Sequence, residues 1–257
     1  MMHALAWTDG WLYSKLFCDV CEERRTYLEL GALDGLKASN TKLLESQLNW
    51  SGVLIEGEPG NAQRLRQHRG RSGRNTIFAE AVCNATGTVR YGGMTGHGAA
   101  GLSDAMSGSR VSQNKRSREV PCQRLSSMLA AASVQKQVDA IDFFSLDVEG
   151  AELLVLQTMD WSIPVRALLV ETGNDAVRRF LASHGYVLFN PFPRPLTGAD
   201  LARGKAKVPI EYARMSGNEL FLHRELMADL PGRIAECSRC ERLPKMTHVH
   251  MHHSNTD

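Results

Sequence analysis

The run Tyr27-Leu28-Glu29-Leu30-Gly31-Ala32-Leu33-Asp34-Gly35 decides the fold. An extended apolar segment, Thr26–Leu30, gives way at once to a turn bracketed by two glycines. Glycine there lets the backbone turn tightly and come close to a ligand. A strand that ends this way and feeds a helix is the opening unit of an open parallel sheet, whose ligands bind beyond the strand ends. The pattern is acidic-x-Gly-x-x-x-Gly rather than Gly-x-Gly-x-x-Gly, so it does not spell a pyrophosphate cradle. A carboxylate beside the turn suits a ligand that carries positive charge or many hydrogen-bond donors.

Outward from that turn, strand and helix alternate. Ser39–Trp50 places Leu43, Leu44 and Leu48 on one helical face, with Ser39 or Asn40 able to cap its start. Gly52–Glu56 reads as the second strand, and Pro59 suits the first turn of the next helix. Further strands are expected at Thr76–Val82, Ile141–Asp147, Val165–Glu171, Tyr186–Phe189 and Glu219–Leu222. Helices are expected over Arg124–Ala132, Gly150–Asp160 and Asn174–His184. This alternation predicts an α/β fold: a mostly parallel sheet with helices on both faces. The last two strands lack a long helix between them, so an antiparallel pair is expected at the sheet edge. Gly92–Ser109 and Pro191–Pro209 read as long loops.

Two strand ends carry acids. Glu56 closes the second strand, where a carboxylate can accept hydrogen bonds from both hydroxyls of an adenosine ribose. Ile141-Asp142-Phe143-Phe144-Ser145-Leu146-Asp147-Val148-Glu149-Gly150-Ala151-Glu152 brings Asp147 and Glu149 out where strand becomes helix. Such a pair could orient an amine, accept a proton or hold a divalent metal. Glu149 and Glu152 also suit a helix N-terminus through its dipole; Asp147 still belongs to the strand.

Composition bounds the function. The chain has 257 residues, 43% hydrophobic and 23% charged, the profile of a folded globular protein. Thirty basic and 28 acidic residues leave a net charge of +2, which excludes a polycation that holds nucleic acid by charge alone. No stretch approaches the ~18 apolar residues of a membrane span. Met1–Phe17 is broken by Asp9, Gly10 and Lys15 and does not read as a signal peptide, so a cytoplasmic protein is expected. Six cysteines are too few for a disulfide scaffold. Cys83 and Cys122 are expected to act as small buried hydrophobes. The pairs Cys18/Cys21 and Cys237/Cys240 read as reduced, unconnected thiols, and the terminal His248, His250, His252 and His253 are assigned no physiological metal.

At this point the motifs resemble those of the FkbM-type S-adenosylmethionine-dependent methyltransferases. The matching stretches are Glu29–Gly35, Ser39-Asn40-Thr41 with Leu44-Glu45, Trp50–Glu56, Ser145–Leu153, Gly185-Tyr186 and Glu219-Leu220-Phe221, in the family's order. The resemblance runs from Thr26 to His223. It implies a Rossmann-like class I methyltransferase with a seven-stranded, mostly parallel sheet and an antiparallel edge strand. Residues 1–25 become an N-terminal extension and 224–257 a flexible tail. The cofactor implied is S-adenosyl-L-methionine, and the reaction is transfer of its sulfonium methyl to a hydroxyl. By position, Gly31 and Gly35, with Ala32 and Asp34 in the same turn, would pass under the cofactor. Glu29 would lie near its amino-acid end, Glu56 at the ribose, Glu80 and Ala81 along the adenine, and Asp147 by the methionine moiety or the acceptor. Asp147, Glu149, Glu171 and the loop residue His97 are candidates to take the acceptor's proton. Ser145 stands where many members carry Lys, and neither Trp11–Arg25 nor the cysteine pairs belong to the pattern.

The expected acceptor is a hydroxyl on a small molecule or a glycan, with a non-catalytic cofactor-binding protein of the same fold as the alternative. Two nucleic-acid readings compete. Pro121-Cys122-Gln123 has the motif of cytosine C5 methyltransferases, yet it precedes a strand in the wrong context, and a structural Cys122 is expected. Arg64, Arg66, Arg69, Arg71 and Arg74 could contact a polyanion, but a solvated helix face explains them better.

Overall fold

A computed structural model describes residues 25–92, 101–102, 117–136, 139–189 and 218–228. In chain order the elements are β1 (Thr26–Leu30), α1 (Lys42–Leu48), β2 (Ser51–Ile55), α2 (Pro59–Arg69), β3 (Asn75–Phe78), β4 (Ala81–Val82), β5 (Gly87–Gly92) and β6 (Gly101–Leu102). They continue with β7 (Arg118–Gln123), α3 (Leu125–Lys136), β8 (Ile141–Leu146), α4 (Glu152–Gln157), β9 (Val165–Glu171), α5 (Asp175–Ser183), β10 (Tyr186–Phe189) and β11 (Asn218–His223). A helical turn over 224–228 follows.

Seven strands form the main sheet in the order β10-β11-β9-β8-β1-β2-β3. β1, β2, β3, β8 and β9 run parallel. The expected antiparallel pair is present, and its reversed member, β11, lies one place in from the edge between β9 and β10. Strand order reverses at β1, which has β2 on one side and β8 on the other. A crevice therefore opens beyond the C-terminal ends of β1 and β8.

Alternating side chains supply both faces of the core. Leu28 and Leu30 join Val53, Ile55, Phe144 and Leu146 in one cluster, whereas Tyr27, Leu54, Phe143 and Leu169 face the other. All six residues of β8 are buried, as a central parallel strand requires. Helix starts follow local chemistry: Glu58 caps α2 ahead of Pro59, and Asn174 caps α5.

A second sheet, in the order β4-β7-β5-β6, was not legible in the sequence. The single strand expected over Thr76–Val82 divides, because the chain leaves the main sheet after Phe78 and Ala81–Val82 pairs with β7 instead. Part of Gly92–Ser109, expected to be loop throughout, is strand: Gly92 ends β5, and Gly101–Leu102 pairs with it. Cys83 and Cys122 are joined by a disulfide, with Cα atoms 5.7 Å apart, rather than being separate thiols. The physical reason is the pairing of β4 and β5 with β7, which brings distant residues onto adjacent strands. The same bond removes Cys122 as a nucleophile. Such bonds are rare in reducing compartments, which weighs against the cytoplasmic expectation. His97, Pro191–Pro209, both Cys-x-x-Cys pairs and the His-rich end lie outside the described residues.

Candidate functional site

The glycine turn is built as much by protein contacts as by room for a ligand. Gly31 has φ +76°, and a Cβ there would stand 1.8 Å from the Asp147 carbonyl oxygen, so only glycine lets β1 and β8 end side by side. Asp147 N–H donates to Leu30 O at 3.2 Å, while Gly31 and Ala32 N–H both donate to Ile55 O. Gly35, φ +77°, faces Leu65 and the Arg69 stem rather than open space. Ala32 is buried in the core. Asp34 accepts from Leu36 and Lys37 N–H within its own turn. Of this turn, only Gly31 lines the crevice itself.

Glu29 is committed to the scaffold. Its carboxylate accepts from Ser39 Oγ (3.0 Å), Asn40 N–H (2.8 Å) and Thr41 Oγ1 (2.6 Å), fixing the approach to α1. Arg69 is 0% exposed beside it. Its guanidinium bonds Glu45 and donates to Gly35 O, Ser39 Oγ, Tyr27 Oη and Thr41 Oγ1. Arg69 therefore leaves the polyanion patch proposed for the arginine run; Arg64, Arg66, Arg71 and Arg74 are exposed. Its position was readable: Ala62, Leu65 and Arg69 recur at helical spacing on the buried stripe of α2.

Glu56 is buried at the end of β2 and accepts from Leu33 N–H (2.9 Å) and Glu58 N–H (2.7 Å). Burial outweighs these two donors and raises its carboxyl to about 7. Glu58, missed in the sequence, caps α2 through Asn61 N–H and meets Arg118 of β7 at 3.2 Å.

Beyond β8, Asp147, Glu149 and Glu171 bring one carboxylate oxygen each within 4.8 Å of one another. Glu149 has φ +59° and Gly150 φ +108°, a left-handed turn between strand and helix. Glu152 accepts from Gly150 N–H at 3.0 Å and caps the turn, which accounts for that acid structurally. Asp147 is pushed up to about 9, by burial first, then by its hydrogen bond with Glu171 and the charges of Glu171, Glu149 and Glu152. Asp147 therefore keeps its proton through the neutral range. Three convergent carboxylates can exchange a proton, receive an ammonium group or hold a divalent cation.

Leu30, Gly31, Gly57, Glu80, Ala81 and Tyr91 are among the residues around a small cavity of ≈ 30 Å³ at the switch point. Glu80 is held by Gln123 Nε2 at 2.8 Å. The structure thus brings Gly31, Glu80 and Ala81 to one cavity, and it adds Gly57 and Tyr91, which sequence reasoning missed. A larger cavity of ≈ 410 Å³ lies at the opposite end of the sheet, lined by Trp161, Arg166, His184, Tyr186 and His223 among others. None of the expected site residues borders it.

A family model described as the methyltransferase FkbM domain matches residues 29–188. The match ends before Glu219-Leu220-Phe221. Among solved structures, the methyltransferase FkbM from Methylobacillus flagellatus KT is similar over 82% of this chain and 48% of its own length, at 16% identity and TM-score 0.42. The chain thus spans about half the length of that protein. A precorrin-6y C5,15-methyltransferase from Geobacter metallireducens GS-15 is similar over 70% of this chain and 71% of its own, at 11% identity and TM-score 0.35. No curated protein matches the chain by sequence.

Proposed function

The chain belongs to the FkbM methyltransferase family, and on that premise we propose that it uses S-adenosyl-L-methionine to methylate a hydroxyl of a small molecule or glycan. The observation that carries this reading is the crowd of carboxylates at the strand-order reversal, where Asp147 is pushed up to about 9 and Glu56 to about 7. A ligand with a sulfonium, an ammonium and two ribose hydroxyls supplies the positive charge and the donors that these acids call for.

In this reading Glu56 accepts the ribose hydroxyls, Glu80 and Ala81 border the adenine, and Gly31 marks the floor between them. Asp147, with Glu149 and Glu171, faces the ammonium or the acceptor. When bound, the cofactor supplies an electrophilic methyl group. What remains for the chain is alignment and removal of the acceptor's proton. Asp147, Glu149 and Glu171, which converge on one another, are the candidate carboxylates for that step. The loops expected to select the acceptor lie outside the described residues. Among the described residues, no helix is long and apolar enough to cross a membrane.

Isothermal titration of S-adenosylmethionine into the protein and into Glu56→Ala tests the assignment. We expect binding by the unmutated protein, weakened at least about tenfold by loss of a charged hydrogen-bond acceptor. Absence of heat with the unmutated protein would sink the reading. Mass spectrometry for the gain of one methyl group across hydroxylated metabolites and oligosaccharides then identifies the acceptor class.

A further inference from the structure

The crevice is filled from the protein's own small sheet. Tyr91, near the end of β5, is 8% exposed. Its ring packs on Gly57 so closely that a Cβ there would stand 2.5 Å from Cε2 and 2.8 Å from Cζ. The phenol feels the charges of Glu56, Glu58, Glu149 and Asp147, which together with burial hold its ionisation well above the ordinary tyrosine range. Beside the ring, ≈ 30 Å³ remains, against the ~300–1,000 Å³ of ordinary ligand pockets.

The attachment of the small sheet is uneven along its length. In the β5–β7 ladder, Gly87 lies opposite Cys122 and Tyr91 opposite Arg118. At one end the Cys83–Cys122 bond cross-links the small sheet internally, tying the end of β4 to β7. The other end rests on the crevice through the Tyr91 ring and through the ion pair of Arg118 with Glu58, whose arginine side chain is 46% exposed. With Glu58 buried and the arginine half in water, that pair is partly screened by solvent.

A flat ring bearing an O–H donor, set among carboxylates, presents the same chemistry as the base and hydroxyls of a nucleoside. We propose that Tyr91 is a resident stand-in for the nucleoside half of the cofactor: it fills the crevice of the free protein and is displaced, with its end of β5, when the cofactor enters. This rests on the reading of the crevice as the cofactor site. The ring then covers Gly57 and keeps water from it until the ligand arrives. The apparent affinity is lowered by the fraction of protein whose ring has swung clear.

The test is titration of S-adenosylmethionine into the unmutated protein, Tyr91→Ala and Arg118→Ala. For an open form populated at roughly 0.1–10%, Tyr91→Ala binds about tenfold or more tightly, and Arg118→Ala shifts the same way by less. Unchanged or weaker binding by a folded Tyr91→Ala overturns the proposal, since the ring would then be a bystander or a contact of the bound ligand. A second measurement needs no variant: peptide-mapped nitration by tetranitromethane should be slow at Tyr91 in the free protein and faster with saturating S-adenosylhomocysteine. Protection by that ligand overturns the proposal. Measurable binding by the unmutated protein that tightens in Tyr91→Ala would establish both the site and its stand-in. Absence of binding by every variant and by the unmutated protein would remove the cofactor reading, and this one with it.

Discussion

Two polar regions flank β1, one buried around Arg69 and one half-buried around Asp147, and they treat charge in opposite ways. Around Arg69, acids and donors are matched: Glu29, Glu45, Ser39, Thr41 and Tyr27 close on one another and on the guanidinium. At the switch point, acid faces acid, and Asp147 holds its proton to about 9. A buried region that balances its own charge is scaffold. One that withholds the balance is, in the function proposed above, where a ligand that brings it would bind.

The sharpest way to break this comparison is Arg69→Met. Removing one partner of a buried network leaves carboxylates uncompensated, at about 3–5 kcal/mol. A melting temperature lowered by ~10 °C or more is the expected result. A melt within a degree or two of the unmutated protein would show that the two regions do not differ as described.

Asp147→Asn should act in the other direction. A carboxyl whose pKa is raised on folding keeps its proton in the folded chain, while the unfolded chain releases it near 4. Wild-type stability therefore falls as pH climbs from about 4 towards about 9. Asparagine cannot ionise, so the variant should gain stability over the wild type as pH rises, by at least ~3 °C in melting temperature at pH 9, the difference vanishing near pH 4. Calorimetric melts across that range check it, and parallel pH profiles would refute the account of the acid cluster.

The smallest effect is expected on the exposed face of α2. Arg64→Ala with Arg66→Ala should move stability by no more than ~0.5 kcal/mol and leave cofactor titration unchanged. A salt-dependent RNA affinity lost in that double variant would instead restore the polyanion reading.

Much of the main sheet could be read directly. β1, β9 and β10 fall at the expected residues, because apolar runs bounded by a glycine or an acid carry a strong local signal. Glu56, Asp147 and Glu149 were found by the same rule, as acids at strand ends. The small sheet gave no such signal. β4 is two residues long, and β5 and β7 are too exposed to alternate clearly. Tyr91 and the disulfide follow from pairing between distant strands, which local periodicity does not report. Arg69 was legible but misread, because a run of arginines drew attention to charge rather than to its place on the helix stripe.

The cysteine bond also changes the chain as a polymer. It closes a ring across a sequence separation of 39 residues. β1, β2 and β3 hang from one side of that ring and β8, β9, β10 and β11 from the other. The two arms of the main sheet must meet at β1 and β8, and the bond takes those 39 residues out of the path between them. An unravelled chain therefore has a shorter loop to close, and less entropy opposes the reunion of the arms.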